Sequence, residues 1–363
     1  MVKEPTEEQS KILQQKGNIV ITAKPGSGKT YTIVEKIARV IPDLPEYKGV
    51  IAISFTNKAS DELKRRCKQR CADTKQSFFG TIDKFYISQI IIPFSSHVTG
   101  NITEYEIVDN IDESSKYALL LEEPFSSKKE SILVEGLQEG KIFLKYTGET
   151  ALYILENVPG AMQYIKARYS HIIIDEYQDC GELQDKVFIK LVESGLTGIA
   201  VGDINQAIYG FTKRFPKYLI ALMKRDDFAR FELSKNHRCH PSISEYSLCL
   251  FGASKTVPRE KRVFKVDISG DERSIAAAID KYLNQIKDKY GIVRNNQVAI
   301  LCRSNSTAFK VGENLSTPYK IFEETVLDRD NSEWGRFFRD LISARFDESV
   351  FAVDYAEQLF SEE

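Results

Sequence analysis

One octapeptide restricts the possible folds of this chain more than any other feature. Ala23-Lys24-Pro25-Gly26-Ser27-Gly28-Lys29-Thr30 directly follows the apolar run Ile19-Val20-Ile21. A strand that ends in a glycine-rich turn and opens a helix aims backbone N–H groups and the positive helix end at one point. That is what a bound phosphate requires. Lys29 is placed to reach β- and γ-phosphates, and the Thr30 hydroxyl to ligate Mg²⁺. The general pattern has Gly where this chain has Ala23, and an ordinary strand-to-helix turn is the plainer alternative.

The surrounding pattern agrees with a phosphate loop. Residues 17–60 read as strand (18–22), loop, helix (30–41) and strand (49–54), a βαβ unit that argues for a parallel sheet covered by helices. A helix is predicted over 60–70. Its Lys64, Arg65, Arg66, Lys68 and Arg70 read first as a solvated face and second as a DNA patch. From about 90 to 160 the βα rhythm lapses, and the segment looks inserted. The rhythm resumes at His171-Ile172-Ile173-Ile174 and at Gly198-Ile199-Ala200-Val201. Beyond a composition shift at 230–234, strand-like runs are predicted at 262–268 and 297–302 around a helix at 275–287.

Ile172-Ile173-Ile174-Asp175-Glu176 supplies what the loop lacks. A buried strand that delivers Asp to its carboxyl end holds Mg²⁺ beside a phosphate loop, and an adjacent Glu polarises the attacking water. Asp175 is therefore the metal candidate and Glu176 the general base. Val201-Gly202-Asp203-Ile204-Asn205-Gln206 is a second strand-then-polar turn that would bring Gln206 near a γ-phosphate. Asn236-His237-Arg238 would bring Arg238 to the same phosphate from beyond the composition shift, where a surface or interdomain salt bridge is the simpler alternative. ATP and Mg²⁺ are the implied nucleotide and metal.

Composition excludes little but trims the field. The 363 residues exceed one ordinary domain, and 42% hydrophobic with 28% charged residues is normal for a globular chain. No apolar run approaches the ~20 residues of a membrane span, and the polar, acidic start does not read as a signal peptide, so a cytoplasmic location is expected. The net charge of −2 gives no support for nucleic-acid binding, although a groove can be locally basic. Six scattered cysteines lack zinc-ligand spacing and read as reduced thiols.

In their order along the chain these motifs resemble the UvrD/Rep-type superfamily 1 helicases. The resemblance runs from Pro5 to about Asn305. It rests on Pro5-Thr6-Glu7-Glu8-Gln9, the phosphate loop, Phe55-Thr56-Asn57-Lys58-Ala59, Gly80-Thr81-Ile82-Asp83, Asp175-Glu176-Tyr177-Gln178-Asp179, the stretch from Val201 through Gln206, Tyr209 and Phe211, and Leu233 through Arg238. Within the family, Phe79 through Asp83 with Ile92-Pro93-Phe94, Asn236 through Cys239 and Leu327-Asp328-Arg329 look most like the helicase subunit of the Gabija anti-phage defence system.

The resemblance implies an α/β, RecA-like P-loop NTPase. One complete RecA-like ATP-binding domain is expected over 1–90 and 160–232, an inserted subdomain over 91–159, and a partial second RecA-like domain over 233–363. The nucleotide would be held by Gln9 on the base, by Ala23, Pro25, Gly26, Ser27, Gly28, Lys29 and Thr30 on the phosphates, and by stacking on His237. DNA contacts are implied for Phe55, Thr56, Asn57, Thr81, Tyr209 and Phe211; for Phe55 simple packing is as good a reading. Catalysis would fall to Lys29, Glu176, Gln206 and Arg238.

The implied activity is ATP-driven 3′ to 5′ movement on single-stranded or partly duplex DNA, with a Gabija-type nuclease as partner. The alternative is a non-motor subunit that senses nucleotide or DNA and docks on a nuclease. Asp83 stands where the family usually has His, His237 where it has a larger aromatic ring, Phe211 where Trp is commoner, and Lys24 where a small residue is usual. The family's last motifs, with a second phosphate-contacting Arg, are not found in these residues, so either a piece of a longer product or a natural short form with curtailed activity is expected.

Overall fold

In the computed structural model, residues 4–71, 73–100, 104–122, 125–204, 216–249 and 260–322, with 334 and 338, are described. Two compact units divide the chain, 1–263 and 264–363. The first is built on a six-stranded sheet, and it opens α1 (Glu7–Gln14), β1 (Ile19–Ala23), α2 (Lys29–Val40), β2 (Gly49–Ile53), α3 (Asn57–Arg70), β3 (Phe78–Gly80). Next come α4 (Ile82–Phe85), a π-helical stretch (Tyr86–Ile91), α5 (Ile92–Phe94), α6 (Ser96–Thr99), β4 (Glu106–Val108), α7 (Ser127–Gln138), β5 (Lys141–Phe143), α8 (Thr147–Asn157) and α9 (Pro159–Arg168). The sheet resumes with β6 (Tyr169–Ile174), α10 (Glu182–Glu193), β7 (Thr197–Gly202), α11 (Lys217–Leu222) and β8 (Ala229–Leu233), followed by α12 (Pro241–Cys249). The strand order is β3-β2-β6-β7-β1-β8, and every pairing is parallel. This is the α/β, P-loop architecture expected from the sequence.

Successive side chains of a strand point to opposite faces, and here both faces are buried. Ile19 and Ile21 of β1, Val50 and Ala52 of β2, Ile173 of β6 and Ile199 and Val201 of β7 form one core with Ile33, Ile37 and Leu63 of α2 and α3. Val20, Ile51, Ile53, Ile172, Ile174 and Ala200 form the other, with the π-helical stretch, α8, α10 and α11. The near-continuous apolar runs seen in the sequence are thus strands clamped between two helical layers.

The segment between β3 and β6 is only partly separate. Tyr117, Leu120, Leu133, Phe143 and Tyr146 make a small core beside the two-stranded β4–β5 sheet. Ala151, Ile154 and Leu155 of α8 belong instead to the main core. Residues 233–263, expected in a second domain, group with the first unit. The chain leaves β8, an edge strand of the main sheet, and turns onto the loop after β1.

In the second unit the expected helix runs as α13 (Glu272–Tyr290), capped by the Asp271 side chain, with α14 (Asn305–Glu313) beside it. The strands expected at 262–268 and 297–302 are not strands: these stretches join no ladder among the described residues. An apolar pattern becomes a strand only where a neighbour completes its hydrogen bonds. Among the described residues no helix is long and apolar enough to cross a membrane.

Gly49 shows how closely the first sheet is packed. A Cβ built there would lie 2.3 Å from the Ser77 backbone nitrogen, where no flexible side chain can yield. Gly49→Ala should therefore lower the stability of the chain by about 1–3 kcal/mol or more, read as a lower urea midpoint; an unchanged midpoint would show that this strand edge is loose.

Candidate functional site

All six sheet strands run the same way, so the loops after β1, β6 and β8 leave from one edge of the sheet. The loop after β1 is held by Lys24 N–H donating to Leu233 O (3.0 Å) and Ser27 N–H donating to Lys24 O (3.2 Å). Gly26 and Gly28 have φ of 71° and 91°, a region costly for any residue with a Cβ. Space adds to this at Gly26, where a Cβ would lie 2.8 Å from Asn236 Oδ1 and 2.9 Å from Arg238 Cβ, while one on Gly28 would press on the Gln9 amide, 2.7 Å away. Gly28 is the N-cap of the twelve-residue α2, whose first two residues are Lys29 and Thr30.

Lys29 Nζ donates to Glu176 Oε2 at 2.6 Å. Asp175 hangs from the end of β6, its N–H donating to Ile53 O (2.9 Å), and its Oδ1 accepts the Glu176 N–H (3.0 Å). Glu176 itself adopts φ 56°, ψ 41°. A non-glycine residue in this left-handed region stores strain and turns its side chain off the strand direction, a recurrent feature of active sites. The following Tyr177 is buried, donates to Asp185 Oδ1 (2.7 Å) and packs edge-on against Phe188, which anchors the turn.

Burial, reinforced by the Glu176 charge, pushes the Asp175 carboxyl up to about 6, against the opposing pull of Lys29 and the Glu176 N–H. The set fits a nucleotide phosphate with Mg²⁺. Ser27 Oγ is buried in the loop without a partner among the described residues. Thr30 and Asp175 are the hard oxygen donors Mg²⁺ prefers, and that ion usually takes only one or two carboxylates beside phosphate oxygens. Among the described residues, no cluster of three or more His, Cys, Asp or Glu offers a site for a softer metal.

The segment after β8 lies directly on the loop. Asn236 Nδ2 donates to Pro25 O and the His237 N–H to Gly26 O, both at 2.8 Å. Asn236 Oδ1 accepts the N–H groups of Arg238 and Cys239, a turn that sets Arg238 beside Gly26. Arg238 was expected from a second domain; it belongs to the same compact unit as the loop. Lys24, the unusual cation beside the phosphates, faces Glu232 at 3.6 Å.

Gln9, expected on the base, is buried against the loop, and its amide is engaged within the protein. Its Oε1 accepts the Thr6 N–H (2.9 Å) while Thr6 Oγ1 accepts the Gln9 N–H (3.3 Å), a capping box that starts α1, and its Nε2 reaches Ser27 O (3.5 Å). The Thr-x-x-Gln spacing carried that signal in the sequence. Two further residues were missed. Glu8 accepts from the Ser234 N–H and hydroxyl, tying α1 to the exit of β8. Lys36, buried in α2, donates to the carbonyls of Ile12 (3.2 Å), Leu13 (3.4 Å) and Gln15, closing the C-terminal end of α1. A lysine in a helix pattern gives no hint that it will cap another helix.

The candidate DNA residues divide. Thr56 and Thr81 lie at the ends of the neighbouring strands β2 and β3, and their hydroxyls cap α3 (to Ala59 N–H, 3.2 Å) and α4 (to Lys84 N–H, 3.4 Å). Thr56 and Asn57 are exposed, whereas Phe55 is half-buried and packs on the core. Asp83 accepts from Thr147 Oγ1 (2.7 Å) and so ties α4 to α8. Arg65 and Arg66 both pair with Glu62, and Arg70 with Glu35, which supports a solvated helix face for α3. Gln206, Tyr209, Phe211 and Leu327-Asp328-Arg329 lie outside the described residues.

Two outcomes follow from this geometry. Because folding raises the Asp175 pKa, the fold favours its neutral form, and its ionisation costs stability as pH rises from the ordinary carboxylate range through about 6. Asp175→Asn, in buffer without Mg²⁺ or nucleotide, should therefore raise the melting temperature above that pH and lose the gain below it. A gain independent of pH would refute the electrostatic origin. Lys36→Met should cost about 1–3 kcal/mol, since three carbonyls lose a charged donor, and chemical denaturation would show whether it does.

Comparison with known proteins agrees with this geometry. The family described as AAA domain matches residues 7–212. The chain is 29% identical over 331 residues to Gabija protein GajB of Bacillus cereus, covering 88% of this chain and 64% of that one. It is 26% identical over 392 residues to DNA helicase II of Haemophilus influenzae (92% and 53%), and 26% identical over 248 residues to ATP-dependent DNA helicase PcrA of Staphylococcus aureus (57% and 34%). The chain thus spans less than two thirds of the length of these relatives. With the phosphate loop, the Asp175-Glu176 turn and the parallel sheet in place, the chain belongs to the AAA-domain family and is similar to the UvrD/Rep-type helicases.

Proposed function

We propose that the chain is the ATP-hydrolysing part of a single-stranded DNA translocase or helicase. One observation carries the reading: Lys29 from the phosphate loop meets Glu176 from the strand that bears Asp175, at 2.6 Å. An ammonium group has three donors. One is spent on Glu176, and two remain for phosphate oxygens. Thr30 and Asp175 would hold Mg²⁺, which would supply neutralisation of phosphate charge. Glu176 orients and deprotonates the attacking water, in the geometry that its backbone imposes. Arg238, presented beside Gly26, adds positive charge where negative charge develops. Gln206 acts as the sensor of the γ-phosphate, and His237 and Gln9 flank the base.

Movement on DNA is the finer part of the proposal. Thr56, Asn57 and Thr81 at the ends of β2 and β3 contact the strand, and Tyr209 and Phe211 stack on bases, an interaction of ~1–3 kcal/mol per base that suits a motor indifferent to sequence. The 3′ to 5′ polarity, a nuclease partner, a role in anti-phage defence and a cytoplasmic location are proposed from the likeness to the Gabija and UvrD-type proteins named above. The alternative of a nucleotide-sensing subunit predicts binding without turnover.

The test is ATP hydrolysis with and without single-stranded DNA, beside Lys29→Ala. Turnover that DNA stimulates, and that the substitution abolishes, is the expected result. Full activity in Lys29→Ala would remove the site assignment, and nucleotide binding without turnover would favour the sensing subunit.

A further inference from the structure

Glu176 has a second donor besides Lys29, and it comes from a residue to which the motif reading gave no role. Gln178, 2% exposed, lies two residues on, in the turn after β6. Its Nε2 donates to Glu176 Oε2 at 3.0 Å, and its Oε1 accepts the Asp203 N–H at 2.9 Å. The orientation of the amide is fixed by chemistry. A backbone N–H can only donate, so the atom facing Asp203 is the oxygen and the NH₂ must face Glu176.

The site is shaped around this amide. A Cβ on Gly202 would lie 2.6 Å from Gln178 Oε1 and 3.1 Å from its backbone nitrogen. β7 therefore ends in glycine, which lets the turn after β6 come close. Both ends of a buried amide are thus used to join the two strand ends that bracket the reaction. One bears Asp175 and Glu176, and the other leads toward Gln206. Glu176 needs such support. It sits in a left-handed backbone conformation, its side chain is about one third exposed, and its other partner, Lys29, is shared with the phosphates.

We propose that Gln178 is the positioning residue of the hydrolysis reaction: it fixes the Glu176 carboxylate against the end of β7, so that the carboxylate keeps its aim on the water when Lys29 engages phosphate. The inference deepens the proposed function and rests on Glu176 being the base. Gln178 acts through Glu176 and not on the nucleotide, so its loss should slow the chemical step and spare ground-state binding. A displacement of the base of about 1 Å costs on the order of a hundredfold in rate.

The discriminating variant is Gln178→Met, which keeps the bulk of the buried side chain and adds no charge but removes the donor to Glu176. A purely packing role is preserved by this change, and a positioning role is destroyed. In the full-length protein, Gln178→Met and Gln178→Ala should each lower kcat by at least about tenfold, with KM for ATP within about twofold. The affinity for ADP–aluminium fluoride should fall by a similar factor, while that for a non-hydrolysable ATP analogue holds. That pair of affinities also decides the matter in a preparation with little turnover.

Wild-type kcat and unchanged transition-state-analogue affinity in Gln178→Met would overturn the proposal, as would equal loss of both affinities. If Gln178→Ala fails to fold, the near-isosteric Gln178→Met alone carries the test. Glu176→Gln separates the two layers of inference. Turnover retained in that variant refutes the base assignment itself, whereas its loss beside a fully active Gln178→Met refutes only the role of Gln178.

Discussion

The parallel direction of six strands is the constraint on which the rest of the structure depends. In a parallel sheet every strand delivers its carboxyl end to the same edge, so loops far apart in sequence become neighbours. Here that edge gathers the phosphate loop after β1, Asp175 and Glu176 after β6, Asp203 after β7 and the 234–239 turn after β8. Burying both faces pins the register, because a slip of one residue would exchange the two cores. Once Ile21 faces α2 and Ile172 faces away, the position of Asp175 relative to Lys29 follows.

Around that edge the protein spends polar groups in pairs. Gln178 joins Glu176 to Asp203, Asn236 joins Pro25 to Arg238 and Cys239, Glu8 joins α1 to Ser234, and Lys36 closes the other end of α1. Each of these residues makes at least one contact that crosses between separate segments, up to 226 residues apart. A buried polar group left alone is costly, so the links made by Gln178 and Lys36, which are buried, are effectively obligatory. Together all these links make α1, the phosphate loop and the 234–239 turn one connected wall of the site. The strained backbone of Glu176 is tolerated in this setting, because Lys29, Gln178 and the anchored Tyr177 over-determine it.

The second unit follows a different logic. α13 carries a clean helix pattern and caps, and forms as the sequence says. The flanking runs at 262–268 and 297–302 have strand-like patterning without a ladder. Phe264, Val266, Ile300 and Leu301 are exposed there. Period-two patterning records which residues want to be buried; it does not supply the partner that buries them.

The sequence by itself determined the phosphate loop, the Asp175-Glu176 pair, the βαβ rhythm and the helicase resemblance. Each is written in local spacing: glycines where φ is positive, a hydroxyl after a lysine, carboxylates at the end of an apolar run. Tertiary structure alone decided that Arg238 shares a unit with the loop, that Arg70 spends its charge on Glu35, and that Lys36 and Gln178 belong to the support of the site. The reason is physical. Backbone conformation and strand burial are set by neighbours along the chain, and periodicity displays them. The partner of a buried amide or ammonium group is set by which strands lie side by side, and nothing in the local sequence of Gln178 names Asp203.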